Sequence, residues 1–191
     1  MPAITIRPAR PEDAAPLSAF AARVFTSTFG PDNTPEDMAL YLAQAFTPER
    51  QAAEIADPAG LVLLAEAPGG AADTGGALGA SRPELAGYAH LVGGPAPAAV
   101  ADVFAGPVAE LSRLYVGAEW HGRGVAQALV EAVLGAARAR GAGALWLGVW
   151  ERNPRAVRFY EKYGFRCVGE HPFVLGRDRQ TDWIMARGLG A

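Results

Sequence analysis

Lysine occurs once in this chain of 191 residues, at Lys162, and cysteine once, at Cys167. Each scarcity removes a class of function. A lone cysteine builds neither a disulfide frame nor a Cys-based zinc site, and a chain without disulfides is expected in the cytoplasm. A Walker-type phosphate loop needs Gly-Lys-Ser/Thr, whereas Lys162 is followed by Tyr163 and Gly164. No run of 18 apolar residues occurs, so no membrane span and no membrane partner are expected. Met1 to Arg10 lacks the apolar core of a secretion signal. An excess of basic charge is missing as well. Lys and Arg number 17 against 20 Asp and Glu, a net charge of −3. That leaves no electrostatic footprint for nucleic acid and mildly favours a cationic partner. His90, His121 and His171 show no metal-ligand spacing, so no metal is expected.

What the chain has in quantity is apolar surface. Half of its residues are hydrophobic, enough for a sizeable core in one domain, taken as residues 1–191. Ile4–Arg7 alternates like a short strand. Pro11-Glu12-Asp13 opens a helical pattern with acids in its first turn; Leu17, Phe20, Ala21, Val24 and Phe25 carry it to about Phe29. Thr34 caps a second helix, Pro35 to Ala45, and Pro48 to Ala56 reads as a further short one. Leu61–Ala65 and Ala86–Val92 are strands. Between them Pro68–Pro83 is a Gly/Ala-rich hairpin loop. Gly93–Gly106 is a second such linker, with a short helix near Ala98–Phe104. The resulting order is β-α-α-β-β-β-α-β-α-β-β.

Residues 110–126 are the most informative stretch. An apolar, β-favouring segment (Leu111, Leu114, Tyr115, Val116) runs into a turn with Gly122 and Gly124. A long helical pattern follows at once through Val125, Leu129, Val133, Leu134 and Ala137. Strand, small-residue turn and helix N-terminus together make an anion site, because unpaired N–H groups and the positive end of the helix dipole converge there. A dinucleotide fingerprint needs a third glycine at position 127, which is Gln. A second element follows at 153–165: Asn153 as N-cap, Pro154 at the first helical position, an apolar face of Ala156, Val157, Phe159 and Tyr160, and Gly164 as a C-terminal stop. Between the two, Ala144–Trp150 reads as a buried strand.

His121-Gly122-Arg123-Gly124-Val125-Ala126 resembles the R/Q-x-x-G-x-G/A loop of the GNAT superfamily of acetyl-CoA-dependent N-acetyltransferases. Asn153 to Phe165 is similar to that superfamily's second signature. The resemblance implies an α/β (α+β) fold: a mixed, mostly antiparallel sheet split between its fourth and fifth strands and flanked by helices. It also implies acetyl-CoA as co-substrate, with the acetyl group passing directly to an amine and no covalent enzyme intermediate. Residues 121–126 would cradle the pyrophosphate. Leu114, Tyr115 and Val116 would pair with the pantetheine arm, an amide of that strand (Leu114) facing the thioester oxygen. Asn153 would also bond the arm, its other role being the helix cap. Tyr160 matches the tyrosine that protonates the departing sulfur, its alternative being a core tyrosine bonded elsewhere; Tyr163, three residues on, reads as the packing tyrosine. Glu110 lies 11 residues before His121, the offset of a base glutamate in histone-acetylating members; its alternative is a water-positioning or structural role. Position 121 departs from the pattern, and Arg123 is expected to make up the lost phosphate attraction.

Two further segments, 24–38 and 169–185, resemble the bacterial spermidine/spermine branch. The implied acceptor is a polyamine, held by Phe25 and Phe29, by Tyr41, and by acids such as Asp32, Glu36 and Asp37. Acetylation of another small amine, an amino acid or a peptide N-terminus is the alternative reading. A non-catalytic, acyl-CoA-responsive regulator is the contrasting class, opposed by the presence of Tyr160 and Asn153. A homodimer is left open.

Overall fold

In the computed structural model, which describes residues 3–69 and 83–190, seven strands form one sheet. They are β1 (Thr5–Pro8), β2 (Gly60–Ala67), β3 (Glu84–Gly93), β4 (Val108–Val116), β5 (Ala144–Trp150), β6 (Arg166–Leu175) and β7 (Asp178–Gly188), ordered β1-β2-β3-β4-β5-β7-β6. Every neighbouring pair is antiparallel except β4 and β5. That parallel ladder is short, matching only Val108–Glu110 with Ala144–Trp146. Past Glu110 the two strands part.

The cause lies on the other edge of β4. His90 and Leu91 are adjacent on β3, yet their partners are Arg113 and Leu111. Ser112 is therefore an extra residue, a β-bulge that bends β4 and strengthens its twist. One edge of Leu111–Val116 faces the gap with no strand paired to it.

The helices are α1 (Ala14–Phe29), α2 (Pro35–Ala45), α3 (Pro48–Ala56), α4 (Ala98–Ala101), α5 (Val125–Ala139) and α6 (Pro154–Lys162). Side chains alternate across the sheet, so each face has its own core. Leu145, Leu147 and Val149 of β5 pack with Leu129, Val133, Val157 and Tyr160 of α5 and α6. On the opposite face lie two separate apolar clusters. One holds Leu17, Phe20, Phe25, Met38, Tyr88 and Leu175 under the first three helices. The other holds Val100 of α4 with Trp146, Ile184 and Ala186.

Local chemistry sets the boundaries. Thr34 accepts from Asp37 N and Thr47 from Arg50 N, each with a proline at the following position. The helix expected from Pro11 begins as a 3₁₀ turn over Pro11–Asp13, because Asp13 turns back to accept from Arg10 N at 2.7 Å and binds Arg7. β4 starts two residues before the expected Glu110, and the helix expected near 98–104 is the single turn of α4. Of the hairpin loop expected at Pro68–Pro83, residues 70–82 lie outside the described residues.

Candidate active site

Gly122 (φ +73°) and Gly124 (φ +84°) both sit in the left-handed region, where a side chain is strained and glycine is not. Gly124 is the N-cap of α5, and no side chain caps the helix there. Its first amides and its dipole point outward. The cradle is also open: a Cβ at Gly122 would meet nothing within 4 Å, and one at Gly124 only Gln127 Oε1, at 3.5 Å. An open turn of this kind lets an anion's oxygens approach main chain, the geometry a pyrophosphate requires. Val125 is packed into the core, while Ala126 is partly exposed.

His121 acts differently from the arginine or glutamine it replaces. Its Nε2 donates to the carbonyl of Val116 at 3.1 Å, and its Nδ1 accepts from Arg155 Nη1 at 3.1 Å. The imidazole thus joins the end of β4 to the start of α6. Arg123, expected to supply the missing phosphate attraction, rests its guanidinium over the Trp120 ring at 5.2 Å. Arg155 brings a second cation to the loop. Sequence reasoning missed it, since nothing in residues 153–165 marks one exposed arginine above the others.

At the split, Leu114 and Val116 turn toward α5 and Tyr115 toward the aromatic cluster under α1, leaving the gap-side main chain of β4 accessible to an extended amide chain. Tyr160 is 8% exposed and packs against Phe159 and Phe165. Burial raises its phenol well above the ordinary value, so it holds its proton at neutral pH. Asn153 Oδ1 accepts from Ala156 N at 3.1 Å, the capping role; no partner engages its Nδ2 among the described residues. Tyr163 lies half-buried against Phe159.

The acceptor side differs more from expectation. Phe25 is 2% exposed, stacked on Tyr41 at 4.7 Å and against Phe29 and Phe46. The ring lies inside the aromatic cluster under α1. Phe29 reaches Trp150, and Tyr41 reaches Phe173, at the edge of the cluster. Of the expected acids, Asp37 is committed elsewhere. It accepts from Arg177 N at 2.8 Å and from Thr34 Oγ1 at 2.8 Å, tying α2 to the β6–β7 turn. Asp32 and Glu36 are exposed.

Two further carboxylates stand on strands near the split, Glu110 and Asp182. Glu110 stands at the last paired residue of β4, opposite Trp146. Burial raises its carboxyl, while a hydrogen bond from Ser112 and the charges of His171 and Arg113 act the other way. Asp182 on β7 is opposite Trp150 on one side and His171 of β6 on the other. His171 and Asp182 both overhang Gly148. A Cβ there would lie 2.8 Å from His171 Nε2 and 3.3 Å from Asp182 Oδ2. His171 Nε2 and Asp182 Oδ1 are buried without a hydrogen-bond partner among the described residues. Burial pushes Asp182 up to about 6, with His171 opposing and Glu151 reinforcing the rise. Neither residue was singled out as a site residue from the sequence, because only strand register brings them beside the split. The available signal was Gly148, a glycine inside an otherwise bulky strand, which marks close approach.

The acetyltransferase (GNAT) family model matches residues 36–165. An uncharacterised N-acetyltransferase of Mycobacterium bovis is 36% identical over 177 residues, covering 93% of this chain and 98% of that protein. Another, from Lactobacillus delbrueckii subsp. lactis, is 33% identical over 171 residues, covering 90% and 89%. Among solved structures, the PaiA N-acetyltransferase from Thermoplasma acidophilum in complex with coenzyme A superposes with a TM-score of 0.70 at 21% identity, over 97% of this chain and 99% of that one. Arabidopsis thaliana NAA60 in complex with acetyl-CoA gives 0.71 at 18% identity, over 97% and 98%. At such identities these two likenesses speak for the fold.

Proposed function

Because this chain belongs to the acetyltransferase (GNAT) family and is an acetyl-CoA-dependent N-acetyltransferase, we propose that its acceptor is a primary amine on a flexible cation, with spermidine and spermine ahead of amino acids. The observation that carries this reading is the pair of half-buried carboxylates without an ion-pair partner among the described residues, Glu110 and Asp182, the second standing opposite Trp150 and acting on Tyr41. Aromatic faces suit methylene chains and cationic nitrogens, and the carboxylates suit the terminal ammonium. The net charge of −3 adds a mild attraction for a polycation.

The chain's parts divide the work. The amides of 121–126 hold the pyrophosphate, and the open edge of Leu114–Val116 takes the pantetheine arm, Asn153 Nδ2 adding a donor. The Leu114 amide faces the thioester oxygen, where charge grows as the amine attacks. Tyr160, kept protonated by burial, donates its proton to the departing sulfur. Glu110 sits at the entrance of the split and carries charge, or orders water, at the incoming amine.

A panel of amines, followed by release of free thiol, tests the reading. Spermine and spermidine should be turned over above all others. The KM for spermine should rise with salt, since exposed charges are screened beyond about 8–10 Å at 0.1–0.15 M, while that of a monoamine stays level. Turnover of another amine with none of either polyamine would reject the polyamine acceptor and leave the family activity standing.

A further inference from the structure

We propose that Asp182, overhanging Gly148 beside His171, is the group that takes the proton from the acceptor ammonium. This rests on the N-acetyltransferase activity and deepens the reading of the acceptor side; it does not depend on which amine is used.

The β4–β5 ladder ends at Glu110 and Trp146, so Gly148 is the first residue of β5 past the split whose side-chain direction is that of the acceptor face. That direction carries no side chain of its own. Two strands further along, β7 and β6 lean Asp182 and His171 into the space instead, and any Cβ at 148 would collide with them. The arrangement costs the fold something. Asp182 Oδ1 and His171 Nε2 are buried with no partner among the described residues, and an orphaned buried polar atom in a native structure calls for an explanation, often a ligand. No Arg or Lys lies within ion-pair range of Asp182 among the described residues. A substrate ammonium is a cation that fits both the place and the missing partner.

The groups facing Asp182 come from every neighbouring element. They are His171 of β6, Glu151 at the end of β5, and Tyr41 of α2, whose phenol feels the Asp182 charge. Glu110 of β4 feels the charge of His171 as well. With Asp182 held near 6 by burial, it is a carboxylate at neutral pH and a much better base than an exposed aspartate.

The step balances as follows. One N–H bond of the ammonium breaks, its electron pair stays on nitrogen, and the proton goes to the Asp182 carboxylate. The free amine attacks the thioester carbon, the C–S bond breaks, and sulfur takes the Tyr160 proton. A second proton from the former amine nitrogen restores Tyr160, leaving the amide and a free thiol, and Asp182 gives its proton to solvent.

The test uses the amine of the panel that is turned over best, so failure of the polyamine reading leaves it intact. Asp182→Asn should lower kcat/KM by about 10²–10⁴-fold, with acetyl-CoA affinity by calorimetry unchanged. The parent's kcat/KM should rise with pH through a limb near 6. Two neighbours should move that limb in opposite directions. Removing the opposing charge in His171→Gln shifts it to higher pH, and removing the reinforcing charge in exposed Glu151→Gln shifts it to lower pH. The Glu151 variant is the discriminating one, because Glu151 is not among the groups that act on Glu110. An Asp182→Asn enzyme within threefold of the parent, a limb unmoved by Glu151→Gln, or a limb abolished only by Glu110→Gln would each overturn the assignment.

Discussion

Two sets of buried or half-buried carboxylates sit on the same side of the sheet and are treated in opposite ways. Glu54 of α3 is held by Arg113 Nη1 at 2.5 Å and Arg50 Nε at 2.7 Å, with His90 Nδ1 at 3.8 Å. Burial alone would raise its carboxyl, but the Arg113 hydrogen bond and charge overcome this and bring it below the usual range. Asp13 and Glu66 likewise share Arg7, at 2.7 and 2.6 Å. Among the described residues Asp182 and Glu110 form no such ion pair, and both are raised. The chemistry is identical and only the partner differs. The carboxylates that hold elements together are matched with arginine, and the two near the split are not. Perturbed, unmatched groups in a cleft are what catalytic sites require. The two sets also meet, since Arg113 is the residue directly after the Ser112 bulge. The Glu54 pair therefore anchors to α3 the distortion that opens the split.

If the split is where chemistry happens, its largest effect belongs to Tyr160. Tyr160→Phe should lower kcat by about 10²–10⁴-fold through loss of the proton donor, with little change in acetyl-CoA affinity or melting temperature. Parallel steady-state kinetics and calorimetry read both sides. A kcat within twofold of the parent would remove Tyr160 from the mechanism and blur the line between the two regions.

The paired set should respond in the other currency, stability. Arg113 has a side chain only 11% exposed, so Glu54→Gln leaves a guanidinium buried beside a neutral amide. Breaking a buried pair by removing one partner costs about 3 kcal/mol, which for a chain of this size lowers Tm by roughly 6–12 °C. Because the Glu54 carboxyl is lowered in the fold, its stabilisation is present above the unfolded value near 4 and is lost as pH falls through the folded one. The gap in Tm between parent and variant should therefore narrow in acid, as differential scanning calorimetry would record. A variant as stable as the parent at pH 7 would show that Arg113 is not held by this pair.

What could be read from the sequence divides along the same line. The loop at 121–126, the strand before it and the cap and face of α6 were legible because each is local: glycine where φ is positive, a threonine or asparagine three residues before a helical amide, a 3.6-residue period. The split was expected only through family resemblance, since the Ser112 bulge depends on β3 register and no residue type announces it. On the acceptor side the expectations were weakest. Phe25 and Asp37 look available in sequence, but long-range contacts with Phe46 and Arg177 commit both to the fold. Asp182 and His171 are nearly unreadable without the order β5-β7-β6, which brings a residue from the last strand beside one from the fifth.

The smallest effect expected is also the one of unusual sign. A carboxyl whose value is raised in the fold contributes stability below its unfolded value, and that contribution is lost as pH rises through the folded one. For Asp182 the window runs from about 4, the unfolded aspartate, to about 6. Above it the native protein holds an unmatched, half-buried charge. Asp182→Asn removes that charge with nearly the same shape, so at pH 7–8 it should stabilise the protein. Allowing for solvent screening of a partly exposed group, the gain is about 1 kcal/mol, or roughly 2–4 °C in Tm. The gain should fade as pH drops below 6 and vanish below 4. A variant that is slower yet more stable would mark Asp182 as a residue kept for chemistry at the expense of the fold, the reverse of Glu54. Melting curves from pH 4 to 8 decide the matter: a loss of stability at pH 7 would place Asp182 with the structural carboxylates and erase the distinction between the two sets.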